Sequence, residues 1–204
     1  MEMDKFILFG ASGHSKVIAD SILAGGCEIS GLMDDDLNKE GFFGIPFLGY
    51  YNPELFCDRE IIIAVGHNSH RKSVARKVSH SFGHWVDKSA KVSTRTMINE
   101  GTVILQAACV QVDVRLGKHV IINTAASVDH DCFLGDFVHV SPGATLCGNV
   151  NVGEGTMIGA GSVVIPNVNI GKWVTIGAGA VIIDDVPDFS VVVGNPGKIL
   201  KFIK

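Results

Sequence analysis

The sequence predicts two regions of different fold class, a small α/β unit over residues 1–82 and an all-β parallel β-helix over residues 83–204. Three observations predict it. Short apolar runs ending in glycine or aspartate alternate with amphipathic segments over residues 5–80. From residue 86 an aliphatic residue recurs at every sixth position. A second register of small or β-branched residues runs four places behind the first.

The elements follow in order. KFILF at 5–9, closed by Gly10, is a short buried strand. Ser15 to Ala24 places Val17, Ile18, Ile22 and Leu23 at helical spacing. Ile29 to Met33 is a second strand, followed by Asp34, Asp35 and Asp36. Ile61 to Val65 is a third, ending at Gly66, and Arg71 to Val78 is a second helix. Such alternation implies a small parallel sheet. Gly83 to Trp85 is the hinge into the second region.

The repeat begins at Val86 and reaches Ile182 through seventeen consecutive aliphatic positions, among them Ile104, Ile122, Val140, Ile158 and Ile176. Roughly a quarter to a third of residues in an average chain are aliphatic, so chance does not produce this run. A period of six is neither helical nor simple alternation. It suits a short strand and a turn, three of which close a coil of 18 residues, giving about five and a half coils. The aliphatic residue fills the interior. The small residue four places on, such as Ala108, Ala126, Cys132 or Ala144, fills a narrower corner. Gly117, Gly135, Gly153 and Gly171 lie 18 apart and are expected to relieve turns of positive φ.

Composition narrows the function. Hydrophobic residues make up 47% and charged residues 19%, enough for a sizeable core. The formal net charge of -4 supplies no basic surplus for nucleic acid or anionic membrane. The apolar run at 6–9 is too short for a signal peptide, and no stretch is long enough for a membrane helix. Cys27, Cys57, Cys109, Cys132 and Cys147 are odd in number with no close-paired spacing, which favours a reduced, cytoplasmic protein.

The chemical candidates lie in three places. Asp129, His130 and Asp131 put a histidine between two carboxylates, where its tautomer is fixed and its basicity raised. His130 falls two places after Val128, on the outer surface. His139 is nine residues on, half a coil away, so the two meet in one cleft only if different copies of the chain supply them. His119, His130 and His139 are spaced 11 and 9 apart, unlike the close pairs of zinc sites, so no metal is expected. The turn Gly10-x-x-Gly13-His14 opens a helix, where backbone N–H groups hold an anion. It is not the GxGxxG dinucleotide fingerprint, so a nucleotide diphosphate is favoured over NAD. Asp34 and Asp35 and the Gly66-His67-Asn68 turn follow neighbouring strand ends, where such sheets bind ligands.

FGASGHSKV, LMDD, IAVGHNSHRK, NTAASVDHDC, HVSPGATLCGNV and VVVGNPGK resemble the sugar O-/N-acyltransferase family typified by the bacterial PglD and NeuD proteins. The resemblance implies a Rossmann-like domain on a left-handed β-helix, a hand opposite to the usual crossover rule. It implies a homotrimer with active sites between subunits. It implies acetyl-CoA as cosubstrate and the 4-amino group of a nucleotide-linked 4-amino-4,6-dideoxy sugar as acceptor, in bacterial surface-glycan or glycoprotein biosynthesis. UDP is favoured, with GDP-perosamine or a dTDP-sugar as variants. By motif, His130 matches the general base, Asp131 its partner, and Gly148 the donor to the thioester oxygen. Gly10, Ser12, Gly13 and His14 match phosphate and sugar contacts. Asp34, Asp35, Gly66, Asn68 and Arg71 match the nucleotide side, and Asn123 a sugar contact. His139, Gly148, Ala160 and Ala178 match the CoA groove. Ser15 stands where glycine is frequent and His67 where asparagine is common. Rival readings are sialic acid O-acetylation, a non-catalytic nucleotide-sugar scaffold, and a metal-dependent hydratase.

Overall fold

The computed structural model describes residues 5–203; Met1 to Asp4 and Lys204, included in the two regions above, lie outside the described residues. The first region is a three-stranded parallel sheet of β1 (Lys5–Phe9), β2 (Glu28–Met33) and β3 (Glu60–Ile63), in the order β2-β1-β3. The helices α1 (Gly13–Ala24) and α2 (Asn68–Ala75) join its core on opposite faces. Phe6, Leu8 and Ile62 pack with Ile18 and Ile22 of α1, while Ile7, Phe9, Ile61 and Ile63 pack with Val74 of α2. Burial on both faces is why these strands read as continuous apolar runs. The second helix starts three residues before the expected Arg71 and stops short of Val78, which turns back to pack against the sheet. That shift puts His67 at the N-cap and Asn68 and Arg71 in the first turn.

From β4 (Trp85–Val86) to β20 (Val181–Ile182) the chain makes one two-residue strand every six residues. The second residue of each is the aliphatic member of the repeat. Strands 18 residues apart pair in parallel, as in Ile122 with Val140 and Val140 with Ile158, to form a left-handed β-helix with three faces. A hairpin of β21 (Ser190–Val193) and β22 (Lys198–Phe202) extends the first face. The aliphatic and small registers form one continuous core from Ile104 to Val192. In the first coil Val86, Val92 and Ile98 are only partly buried, because no coil precedes them. Polar members of the small register are satisfied internally: the Thr102 hydroxyl donates to Gly117 O at 2.9 Å and that of Thr156 to Gly171 O at 2.7 Å.

The turns correct one expectation. Positive φ falls at every sixth residue from Gly101 to Gly179, three places after the aliphatic, and includes Ala107, His119, Asp131, Phe137, Asn149 and Trp173. Gly117, Gly135, Gly153 and Gly171 are not at these positions. A Cβ on Gly153 would lie 2.6 Å from the Gly171 carbonyl carbon, and one on Gly135 2.8 Å from the Glu154 nitrogen. These glycines exist because successive coils stack backbone on backbone at that corner. Side chains at the positive-φ positions cost about 1–2 kcal/mol each. A regular bond offsets this: Asp131 N–H donates to Val112 O and Phe137 N–H to Lys118 O, each one coil down.

The first region lies along the first face of the β-helix. Val103, Leu105 and Ile121 point outward from the coils into the core that holds α1. Ser21 of α1 donates to Asp87 and accepts from the Trp85 indole at 2.6 Å. From α2, Lys72 pairs with Glu154 and stands over the Trp173 ring.

Candidate active site

His130 occupies the turn between the second and third faces, exposed, with its backbone N–H donating to Asp129 Oδ1 at 2.8 Å. Its Nδ1 lies 2.8 Å from Asp131 Oδ2, so the carboxylate holds the proton on Nδ1 and leaves Nε2 able to accept one. The hydrogen bond to Asp131, with the nearby Asp129 charge, raises the imidazole pKa above its ordinary value. Directly above, one coil on, is Gly148. A Cβ there would lie 2.6 Å from His130 Cε1 and 2.7 Å from Nε2, so only glycine leaves room for the ring. Among the described residues no acceptor takes the Gly148 N–H. Cys132 points into the core, where burial pushes its thiol up to about 11, out of range of nucleophilic use.

A second cluster forms where the two regions meet. His139 stands on the first face, with Nδ1 3.2 Å from Gly66 O and Nε2 3.0 Å from Asn123 Nδ2. The His14 ring lies 6.0 Å from it, its Nε2 buried and unpartnered. Burial and the Arg71 charge hold His14 down to about 4 and His139 to about 3, so both are neutral near pH 7. The pairing of Asn123 with His139 escaped the sequence reading. Its signal is the coil length, which makes neighbours of residues 16 apart.

The glycine turn has an open helix start: α1 has Ser12 as N-cap without a side-chain cap, and Gly13 has free space beside it. Gly10, at φ +122, could not carry a Cβ, which would meet Ala64 O at 2.8 Å. Ser15, fully buried, donates to Gly10 O at 2.6 Å and clamps the turn from inside. Asp34 clamps it from outside, accepting from Ala11 N–H at 2.8 Å and from Asp36 N–H at 2.9 Å. Three of the side chains expected on the nucleotide side are engaged within the protein. Asp34 spends both oxygens on the backbone, leaving the exposed Asp35, 3.4 Å from Lys77, as the acidic group facing solvent. Asn68 turns its amide into the β-helix, donating to Gly155 O and Thr156 O. Arg71 is 1% exposed and bonds only to protein. Asn68 and Arg71 are buried because α2 begins at Asn68 and its first turn faces the β-helix, whereas Asp34 stays half-buried at the end of β2.

Ala160 and Ala178 are exposed one coil apart at the corner that also carries Asn123. Gly161 and Gly179 follow them with open space, so this stretch of the corner is a row of small residues. This corner and the His130 corner are different edges of the same β-helix. A polar cleft of about 610 Å³, which the sequence reading also missed, flanks His130 and includes Asp131, Arg95, Arg115 and Asn149. Among the described residues no group of three or more His, Cys, Asp or Glu is placed to hold a metal ion. No helix among them is long and apolar enough to cross a membrane.

Residues 5–78 match the PglD N-terminal domain, and residues 149–184 match six repeats of the bacterial transferase hexapeptide. A variant of perosamine N-acetyltransferase from Caulobacter crescentus, solved with CoA and GDP-perosamine, is 32% identical with a TM-score of 0.90, over 97% of each chain. The acetyltransferase domain of PglB from Neisseria gonorrhoeae is 38% identical with a TM-score of 0.90, over 96% of this chain and 99% of that one. The UDP-N-acetylbacillosamine N-acetyltransferase of Bacillus subtilis is 38% identical over 112 residues, 50% of this chain and 52% of the relative. The chain spans about half or less of the curated relatives it matches, the other being a mimivirus protein covered over 23% of its length.

Proposed function

The chain belongs to the PglD-like family of nucleotide-linked amino-sugar N-acetyltransferases, and on that premise we propose that it moves the acetyl group of acetyl-CoA onto the 4-amino group of a nucleotide-linked 4-amino-4,6-dideoxy sugar, a UDP-sugar before GDP-perosamine or a dTDP-sugar. The observation that carries this reading is the His130–Asp131 pair beneath the unbonded Gly148 N–H. Attack on a thioester uses a base and an oxyanion donor, and His130 and Gly148 are candidates for these one coil apart.

In this reading the neutral amine attacks the thioester carbonyl. The N–C bond forms and the C–S bond breaks. His130 Nε2 takes the amine proton and returns it to the departing sulfur, so no acyl-enzyme forms. The Gly148 N–H meets the negative charge developing on the carbonyl oxygen, and the exposed small residues Ala160 and Ala178 leave room for the pantetheine arm. The Gly10–Gly13 turn receives the diphosphate, with Asp35 towards the ribose or base.

The two halves of this site sit on different edges of one chain. A homotrimer completes it, each cleft taking His130 from one copy and the Asn123–His139 edge and nucleotide domain from the next.

The test is release of free CoA from acetyl-CoA with UDP-, GDP- and dTDP-linked 4-amino sugars and with sialic acid. Turnover is expected with one of the nucleotide sugars and not with sialic acid. The variant His130→Ala is expected to lose about 10²–10⁴-fold in kcat. Near-normal turnover by that variant at saturating substrates would remove His130 from its role.

A further inference from the structure

The Arg71 guanidinium lies in the junction between the two regions with every donor nitrogen occupied. Nε donates to His119 O at 2.9 Å, Nη1 to Val65 O at 3.0 Å and Gly66 O at 3.1 Å, and Nη2 to Asn68 Oδ1 at 3.0 Å and Phe137 O at 2.8 Å. All five acceptors are neutral. Two are carbonyls of successive β-helix turns and two are the carbonyls that follow β3. A buried cation without a carboxylate carries a desolvation cost that simple packing does not require, since an apolar side chain would fill the same space.

The Gly66 carbonyl is shared, accepting from Arg71 Nη1 and from His139 Nδ1. That places the His139 proton on Nδ1 and makes Nε2 an acceptor. The Asn123 group facing it at 3.0 Å is therefore its NH2. An independent bond agrees, because Asn123 Oδ1 accepts from Thr124 N–H at 2.8 Å. One amide hydrogen of Asn123 is left over. Both nitrogens of His139 are used within the protein, so it acts on Asn123 and not directly on a substrate.

We propose that Arg71 is a positioning residue for acetyl transfer: it fixes the Gly66 carbonyl, which fixes His139, which turns the Asn123 amide so that its spare N–H faces the acceptor sugar. The proposal rests on the acetyltransferase reading above. The charge has its own part. A protonated His139 would set an N–H donor against the Asn123 NH2 and break the chain. The groups facing His139 are Arg71 from α2 and His14 from α1, with the Gly66 carbonyl, and among the described residues no carboxylate faces it to favour the protonated form. Burial and the Arg71 charge therefore keep it neutral.

Three measurements on the full-length protein test this. With ¹⁵N-labelled histidine, His139 is expected as the Nδ1–H tautomer at neutral pH; the Nε2–H tautomer or the cation would overturn the assignment. The variant Arg71→Lys keeps the charge and loses the fork. It is expected to lower kcat/KM for the nucleotide sugar roughly tenfold while the KM for acetyl-CoA stays within about twofold. The variant Arg71→Met is expected to lose more, about 100-fold, and to add an acidic limb to the pH profile as His139 becomes titratable. Unchanged kcat/KM and pH profile in whichever variant folds would reduce Arg71 to a structural tie. Should the wild type release no CoA with any amino sugar, the functional reading fails, while the tautomer measurement still decides the hydrogen-bond chain.

Discussion

At the scale of single residues, His130 draws its basicity from a neighbour in sequence. Asp131 reaches back to Nδ1 because its own backbone is at φ +60, which swings the carboxylate beside the ring. Since Asp131 raises the His130 pKa, activity is expected to fall as pH drops through that raised value and the base becomes protonated. Asp131→Asn removes the leading cause of the shift. The acidic limb of kcat/KM should then move to lower pH, and the plateau should fall about tenfold as the base weakens. A limb that stays in place, measured across pH 5–8, would detach Asp131 from the base. The sequence showed this pair directly, because its members are adjacent. It did not show that Gly148 covers the ring, although the 18 residues between them are one coil.

At the scale of elements, the β-helix uses glycine for two unrelated reasons, and substitution separates them. In Gly153→Ala the new Cβ meets backbone atoms of Gly171 and Lys172 at 2.6 Å, where no side chain can move aside. A loss of about 2–3 kcal/mol is expected from denaturant unfolding. In Gly143→Ala the Cβ enters open space and the cost is only the positive φ of 65°, about 1 kcal/mol. Equal losses would refute the stacking account. The repeat itself was legible because a six-residue period has no other regular interpretation. The role of its glycines was not, since spacing alone cannot separate a bent backbone from a close neighbour.

At the scale of the whole molecule, the proposed site depends on the junction between the two regions and on a contact between copies. Mixed oligomers test the second. His130→Ala and Asn123→Ala should each be nearly inactive alone. Refolded together at equal amounts, they should regain about a quarter of wild-type activity, because one cleft in four then takes an intact His130 from one copy and an intact Asn123 from the next. No recovery, with mixed oligomers verified by mass, would place both residues in the cleft of a single chain.

The sequence by itself determined the two rhythms, the coil, the buried registers of Ile104 to Ile182, the glycine turn before α1 and the His130–Asp131 pair. All of these are encoded at separations of a few residues or at a constant period, where side-chain size and backbone geometry act locally. Only the tertiary structure decided that Asn68 and Arg71 face inward, that Asp34 is held by the backbone of the glycine turn, and that His139 is tied to Gly66 and Asn123. The Arg71–Phe137 and His139–Gly66 bonds join residues 66 and 73 apart. Their partners are backbone carbonyls, which every residue carries, so no pattern of side chains marks them until the first region is packed against the coils.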